Sequence, residues 1–401
     1  MGKSGNPAKA NLKGTISWFS NSPTAPTGYG TQSAQVLNRL KRDGFDVAVL
    51  SNYGREGVMG EWESDYGKVR EYPRGAETYS QDITPLNHMH WVASNRKDQP
   101  NVLITLYDTW VMKGNKYDEI NIASWTPIDH MPAPPAVMQW LKRPTVTPIA
   151  MSQYGKAMIE ANDIESLYVP HAFDKIFKPT PKWQGLTARE NMGLGEDRFV
   201  VGMNAANKAG GLIHRKAFSE NIMAFALFAQ KHPDAVLYIH SDPFGSYGGW
   251  RLPTLIEACG LKKGQYLFVD PIAYRYGIGQ EQLANIYSAW DVMLATSYGE
   301  GFGVPQIEAQ ACGVPIITSN FAASIELASP DSFLVEGQPL WDNGQEAFFN
   351  VPNINGIADA LERAYQRGRG KFEKTIEFAQ QYEAERVYQK YWIPTLQKIL
   401  K

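Results

Sequence analysis

Only two cysteines, Cys259 and Cys312, occur in the 401 residues, and neither sits in a paired C-x-x-C spacing. A disulfide framework and a zinc site therefore drop out, and a reducing cytoplasm fits best. Also missing is an uninterrupted apolar run of the roughly 20 residues needed to cross a bilayer, so no transmembrane segment is expected. The opening residues, Met1 to Leu12, lack the apolar stretch of a secretory signal, and residues 1–13 read as a flexible tail. An excess of charge of one sign is missing as well, with 39 Lys and Arg against 41 Asp and Glu. A formal net charge of -2 argues against an extended nucleic-acid surface. The basic strip Arg39, Lys41 and Arg42 reads as a solvated helix face, although such a strip can meet a phosphate backbone.

What is present is an ordinary globular composition, 43% hydrophobic and 20% charged, in a chain longer than a single core usually supports. Two domains with a cleft between them are expected. Strand-like apolar runs alternate with helical patterns, which predicts an α/β architecture of two doubly wound, Rossmann-like domains. The first series is Thr15–Phe19, a helix with Ala34, Leu37 and Leu40 on one face ended by Gly44, then Phe45–Leu50, Val102–Leu106, Ile122–Trp125, Val146–Met151 and Leu167–Val169. A polar stretch from Asp174 to Gln184 breaks the rhythm. Phe199–Met203, Val236–His240, Tyr266–Val269, Val292–Ala295 and Ile316–Thr318 form the second series. The domains are thus placed at 14–173 and 174–370, and helical residues 371–401 are expected to pack back towards the first.

The segment Ser297-Tyr298-Gly299-Glu300-Gly301-Phe302-Gly303-Val304-Pro305-Gln306-Ile307-Glu308 follows a strand and opens a helix. Pro305 suits the first helical position, and the glycines let backbone N–H groups approach a ligand. A helix start favours phosphate, while Glu300 and Glu308 can accept hydrogen bonds from sugar or ribose hydroxyls. A plainer reading places Glu308 in the first helical turn, where an acid is favourable in any case.

Two glutamates with seven residues between them, among these Gly-Phe-Gly-Val-Pro, resemble the E-x7-E motif of retaining GT-B glycosyltransferases, the group 1 family that includes sucrose synthase and bacterial mannosyltransferases. The likeness continues through Ala309-Gln310-Ala311-Cys312-Gly313-Val314-Pro315 and covers nearly all of the second domain. It implies that Glu300 contacts a donor sugar and Glu308 a nucleotide ribose, with Gly301, Phe302, Gly303, Val304 and Pro305 around the donor. Arg215 and Lys216 resemble the family's basic pair on the donor diphosphate, though Met203 or Asn204 stands where an arginine is usual. The loop Pro26-Thr27-Gly28-Tyr29-Gly30-Thr31 lacks a full G-x-G-x-x-G fingerprint, which disfavours a dinucleotide. By resemblance, Gly28, Tyr29, Gly30 and Thr31 border the donor diphosphate and acceptor.

Trp125-Thr126-Pro127-Ile128-Asp129-His130 occupies the place of a family polar pair facing the donor sugar. Asp129 can accept the acceptor's hydroxyl proton and His130 can bind a sugar hydroxyl, with the division of roles open and a structural histidine the alternative. Asp108 ranks below them. Val169–Asp174 resembles the interdomain hinge, and Phe321–Glu326 a phosphate-side loop with Ala322 and Ala323 in place of two glycines.

The resemblance implies transfer of a sugar from a nucleotide-sugar co-substrate, with UDP, GDP or another nucleotide undetermined, to a hydroxyl acceptor. It implies front-face attack without metal or other cofactor. No Asp-x-Asp lies in a suitable loop, and Arg215 and Lys216 act instead as preorganised cations. The acceptor, a glycoside, a small molecule or a modified DNA base, has no pattern of its own. Trp18, Tyr29, Tyr53, Trp62, Tyr72, Tyr107, Trp110 and Trp125 can stack sugars or bases, and several must fill core. The Asp129-His130 pair loosely resembles a phage DNA α-glucosyltransferase, which keeps a hydroxylated DNA base open as acceptor. A nucleotide-sugar epimerase and a silent nucleotide-sugar binding module are the rivals.

Overall fold

A computed structural model describes residues 13–95, 99–208, 213–246 and 248–400. The tail expected at 1–13 lies, apart from Lys13, outside the described residues. The chain forms two compact units. One comprises Met1–Ile128, Ala133–His171 and Ala384–Lys401, the other Asp129–Pro132 and Ala172–Glu383.

The first unit is built on an eight-stranded sheet in the order Gly60–Ser64, Gly67–Tyr72, Asp46–Ser51, Thr15–Ser20, Asn101–Leu106, Ile122–Thr126, Val146–Ala150 and Leu167–Tyr168. The central strands are buried along their whole length, which is why they read as unbroken apolar runs. All pairs are parallel except Gly60–Ser64 with Gly67–Tyr72. That edge pair went unread because its exposed face carries Glu61, Glu63, Lys68 and Arg70, the charges with which a sheet edge is blunted.

The second unit has a parallel six-stranded sheet in the order Tyr266–Phe268, Ala235–His240, Phe199–Asn204, Val292–Leu294, Ile316–Ser319 and Phe333–Val335. Its apolar layer joins Val201, Leu237, Val292 and Ile317 to Phe225 and Leu361 of two covering helices. The winding reverses between Phe199–Asn204 and Val292–Leu294, so the loops after these neighbouring strands open side by side, where doubly wound sheets bind ligands.

Three expectations need correction. The units divide at His171/Ala172 and Glu383/Ala384, so residues 371–383 stay with the second unit and only 384–401 belong to the first. Tyr388, Trp392 and Leu396 are buried there, and Trp392 meets Trp18 at 5.7 Å and Trp125 at 5.0 Å. Second, Arg39 and Arg42 are half-buried and paired rather than simply solvated. Both hold Glu385, at 3.1 and 2.8 Å, in an ion pair reached across some 340 residues of chain. Third, Asp129–Pro132 leaves the first unit to lie beside a hairpin, Gly337–Asp342 and Ala347–Pro352, that the sequence reading missed. Met131 and Phe348 exchange both backbone hydrogen bonds, at 3.0 and 2.9 Å.

Candidate active site

The helix after the glycine loop runs Val304–Ala311 and starts from Gly303, whose φ of 122° is one that a side chain disfavours. No side chain among the described residues caps it. Pro305 is thus its second residue rather than its first, and Glu308 lies past the first turn, so placement at a helix start does not account for that carboxylate.

Glu300 is buried and held from three sides. Lys216 Nζ donates to Oε1 at 2.5 Å, Arg215 Nη1 to Oε2 at 2.9 Å, and Ser297 Oγ to Oε1 at 2.7 Å. Burial alone would raise its pKa; the two cations and the hydrogen bonds outweigh it and hold the carboxyl at about 2. Burial in turn draws the Lys216 ammonium below its ordinary range, against the pull of Glu300. The basic pair assigned to a diphosphate therefore rests on Glu300 in this structure.

Glu308 has the opposite surroundings. It too is buried, but the Tyr287 hydroxyl, which donates to Oε2 at 2.9 Å, stands where Glu300 has cations. Burial outweighs that hydrogen bond and pushes its carboxyl up to about 7, with no cation beside it among the described residues. Tyr287 in turn accepts from Asn204 Nδ2 at 2.7 Å. Both positions considered for the missing arginine line the pocket, but Asn204 brings a hydrogen-bonding side chain to it whereas Met203 brings an apolar one that also packs in the core.

Asp129 and His130 arrive from the segment beside the hairpin. Asp129 Oδ2 stands 3.8 Å from Arg215 Nε, and its Oδ1 lies 2.7 Å from His130 Nδ1. Burial opposes the Asp129 charge, yet the His130 hydrogen bond and the Arg215 guanidinium keep its carboxyl below its ordinary value. His130 Nε2 lies 3.3 Å from Asp342 Oδ2, and its ring packs on Phe349 at 3.7 Å. Glu300, Arg215, Lys216, Asp129, His130, Asn204 and Glu308 are thus gathered in one unit, and a pocket opens among Asn204, Lys216, Ser297, Glu300, Pro305 and Gln306.

Gly28, Tyr29, Gly30 and Thr31 belong to the first unit, where they begin the helix Gly28–Arg42. Thr27 caps it, accepting from Gly30 N at 3.0 Å, and a Cβ on Gly30 would meet Ala25 O at 2.3 Å. Asp108 also lies in this unit, ahead of the turn Thr109–Val111. Of the aromatics, Trp18 and Trp125 fill core, while Tyr53 and Trp110 are exposed. In the loop after Ile316–Ser319, Ala322 takes a φ of 52° in place of a glycine, and Ala323 N donates to Glu300 O at 3.3 Å.

Ser297, Tyr287, Gln306 and Asp342 were missed. Ser297 stands three residues before Glu300 and was legible as a partner; Tyr287 and Asp342 come from elements whose contacts with Glu308 and His130 leave no mark in the sequence.

Residues 204–380 match the family model described as Glycosyl transferases group 1. A D-inositol 3-phosphate glycosyltransferase of Streptomyces avermitilis is 30% identical over 157 residues, 37% of this chain and 32% of that protein. One of Catenulispora acidiphila is 28% identical over 207 residues, 50% of this chain and 44% of that one. The matched stretches thus span less than half the length of these curated relatives. Among solved structures, sucrose-phosphate synthase from Thermosynechococcus elongatus superposes with a TM-score of 0.72 at 19% identity, covering 96% of this chain and 99% of that one. HepE of Anabaena in complex with UDP-glucose gives 0.64 at 16% identity, covering 96% and 98%. The fold is GT-B, as the sequence resemblance implied. Among the described residues no helix is long and apolar enough to cross a membrane.

Proposed function

We propose, taking residues 204–380 as a glycosyl transferases group 1 domain on a GT-B fold, that this chain transfers a sugar from a nucleotide sugar to a hydroxyl acceptor, with retention and without a metal ion. The observation that carries this reading is Glu300, kept ionised by Lys216 and Arg215 at the foot of an uncapped helix start. An ionised carboxylate accepts hydroxyl hydrogen bonds from the donor sugar. Arg215 and Lys216, already beside it, turn to the diphosphate and stabilise the charge that grows on the leaving nucleotide. The open N–H end of the helix adds to that field. Glu308 accepts from the ribose hydroxyls.

In front-face attack the acceptor oxygen approaches the anomeric carbon from the side the nucleotide leaves, and the leaving phosphate takes the acceptor proton. Asp129, ionised and next to Arg215, orients that hydroxyl, while His130 binds a donor-sugar hydroxyl. UDP-glucose is the first donor to try, since HepE is seen in complex with it. The test is mass spectrometry after incubation in excess EDTA with a panel of UDP- and GDP-sugars, offered small glycosides, inositol phosphates or DNA carrying hydroxymethylated bases. Glycosylated acceptor with matching nucleotide diphosphate is the expected result. Isomerised donor would replace this reading with an epimerase, and tight binding without turnover with a binding module.

A further inference from the structure

Gln306 lies in the x7 stretch between the two glutamates and is 3% exposed. Its amide nitrogen donates to Ser324 Oγ at 3.3 Å, while its amide oxygen has no hydrogen-bond partner among the described residues. A buried acceptor left unpaired is costly, and native folds seldom keep one without a use. This amide lies against the backbone at the helix start: a Cβ on Gly303 would come 2.6 Å from Gln306 Nε2. The side chain lines the pocket it shares with Glu300, Lys216, Ser297 and Asn204.

We infer that Gln306 is a specificity-determining residue whose amide binds a hydroxyl of the donor sugar. The chemistry of the amide selects that class of ligand. A phosphate oxygen only accepts and cannot pair with the amide oxygen, whereas a hydroxyl both donates and accepts. With the amide nitrogen held on Ser324, the oxygen is left to accept from a sugar hydroxyl. The ribose hydroxyls of the carrier are assigned to Glu308 and the diphosphate offers no hydroxyl, which leaves Gln306 to read the sugar. The inference rests on the nucleotide-sugar reading of the site.

Replacing Gln306 by Leu, of similar size and without the amide, tests it. Affinities of wild type and Gln306→Leu are measured by calorimetry for UDP-glucose, UDP-N-acetylglucosamine and GDP-mannose, each beside UDP or GDP alone, and melting is followed without added ligand. The variant should bind the nucleotide diphosphates as wild type does and bind the preferred nucleotide sugar about tenfold more weakly, equivalent to ~1.4 kcal/mol. Its melting temperature should be equal or higher, since an unpaired buried acceptor has been removed. Equal affinity of both proteins for the nucleotide sugar would overturn the inference while leaving the proposed function standing, as would equal losses for nucleotide sugar and nucleotide. A variant that melts early is replaced in the comparison by Gln306→Met, read against the same outcomes. Wild type that binds none of these probes would overturn the proposed function and this inference together.

Discussion

Each unit carries a strand, a glycine-bearing loop and a helix, and the two helix starts are finished differently. Gly28–Arg42 is closed by its own sequence: the Thr27 hydroxyl takes the Gly30 N–H, and Gly30 is tight against Ala25. Val304–Ala311 begins from a glycine at φ 122° with no capping side chain, and two basic residues and a buried glutamate gather beside it. The same backbone motif thus carries a side-chain cap in one place and none in the other. What separates them is the residue before the helix and the charges brought up to it, not the strand-loop-helix frame.

The sharpest way to break this contrast is Glu300→Gln, which keeps the shape and removes the charge. Turnover should fall by about 10²–10³ if Glu300 acts on the developing transition state; an unchanged rate, measured by nucleotide release, would sink its assignment. Next is Glu308→Gln. The folded carboxyl, at about 7 against an ordinary 4.5, binds its proton more tightly than the unfolded one, so its contribution to stability is full below pH 4.5 and lost as pH rises to 7. The glutamine variant should match wild type in denaturant melts near pH 4.5. It should become more stable by up to on the order of 3 kcal/mol above pH 7, while binding UDP more weakly.

Gly303→Ala should cost about 1–3 kcal/mol through its backbone angle and weaken UDP-sugar binding, because it disturbs the open helix start. Thr27→Ala should cost only about 1 kcal/mol of stability, the loss of a cap, and leave UDP affinity as in wild type. If calorimetry shows the alanine at 27 to be the more damaging to UDP binding, the contrast is reversed.

The sequence made one side of this contrast plain and hid most of the other. The E-x7-E segment is local: its strand, glycines, Pro305 and both carboxylates lie within a few turns of chain, so pattern and chemistry reinforce each other. Most of the parallel strands were readable for the same reason, each being a continuous apolar run, but Gly67–Tyr72 and the short Phe333–Val335 were not. The Glu385 pairing with Arg39 and Arg42 and the meeting of Asp129–Pro132 with the hairpin were not readable. These join residues hundreds of positions apart, and neither side has a periodicity that names its partner. Opposite protonation tendencies in two like-looking glutamates were equally hidden, because they depend on whether a cation or a tyrosine stands alongside.

Hydrogen–deuterium exchange with and without a bound nucleotide sugar compares the two helix starts in one experiment. Slowed exchange across Gly301–Val304, with a smaller change or none across Gly28–Thr31, is the result expected of an open, anion-binding start. Slowing confined to Gly28–Thr31, with none at Gly301–Val304, would contradict the placement of the donor beside Glu300.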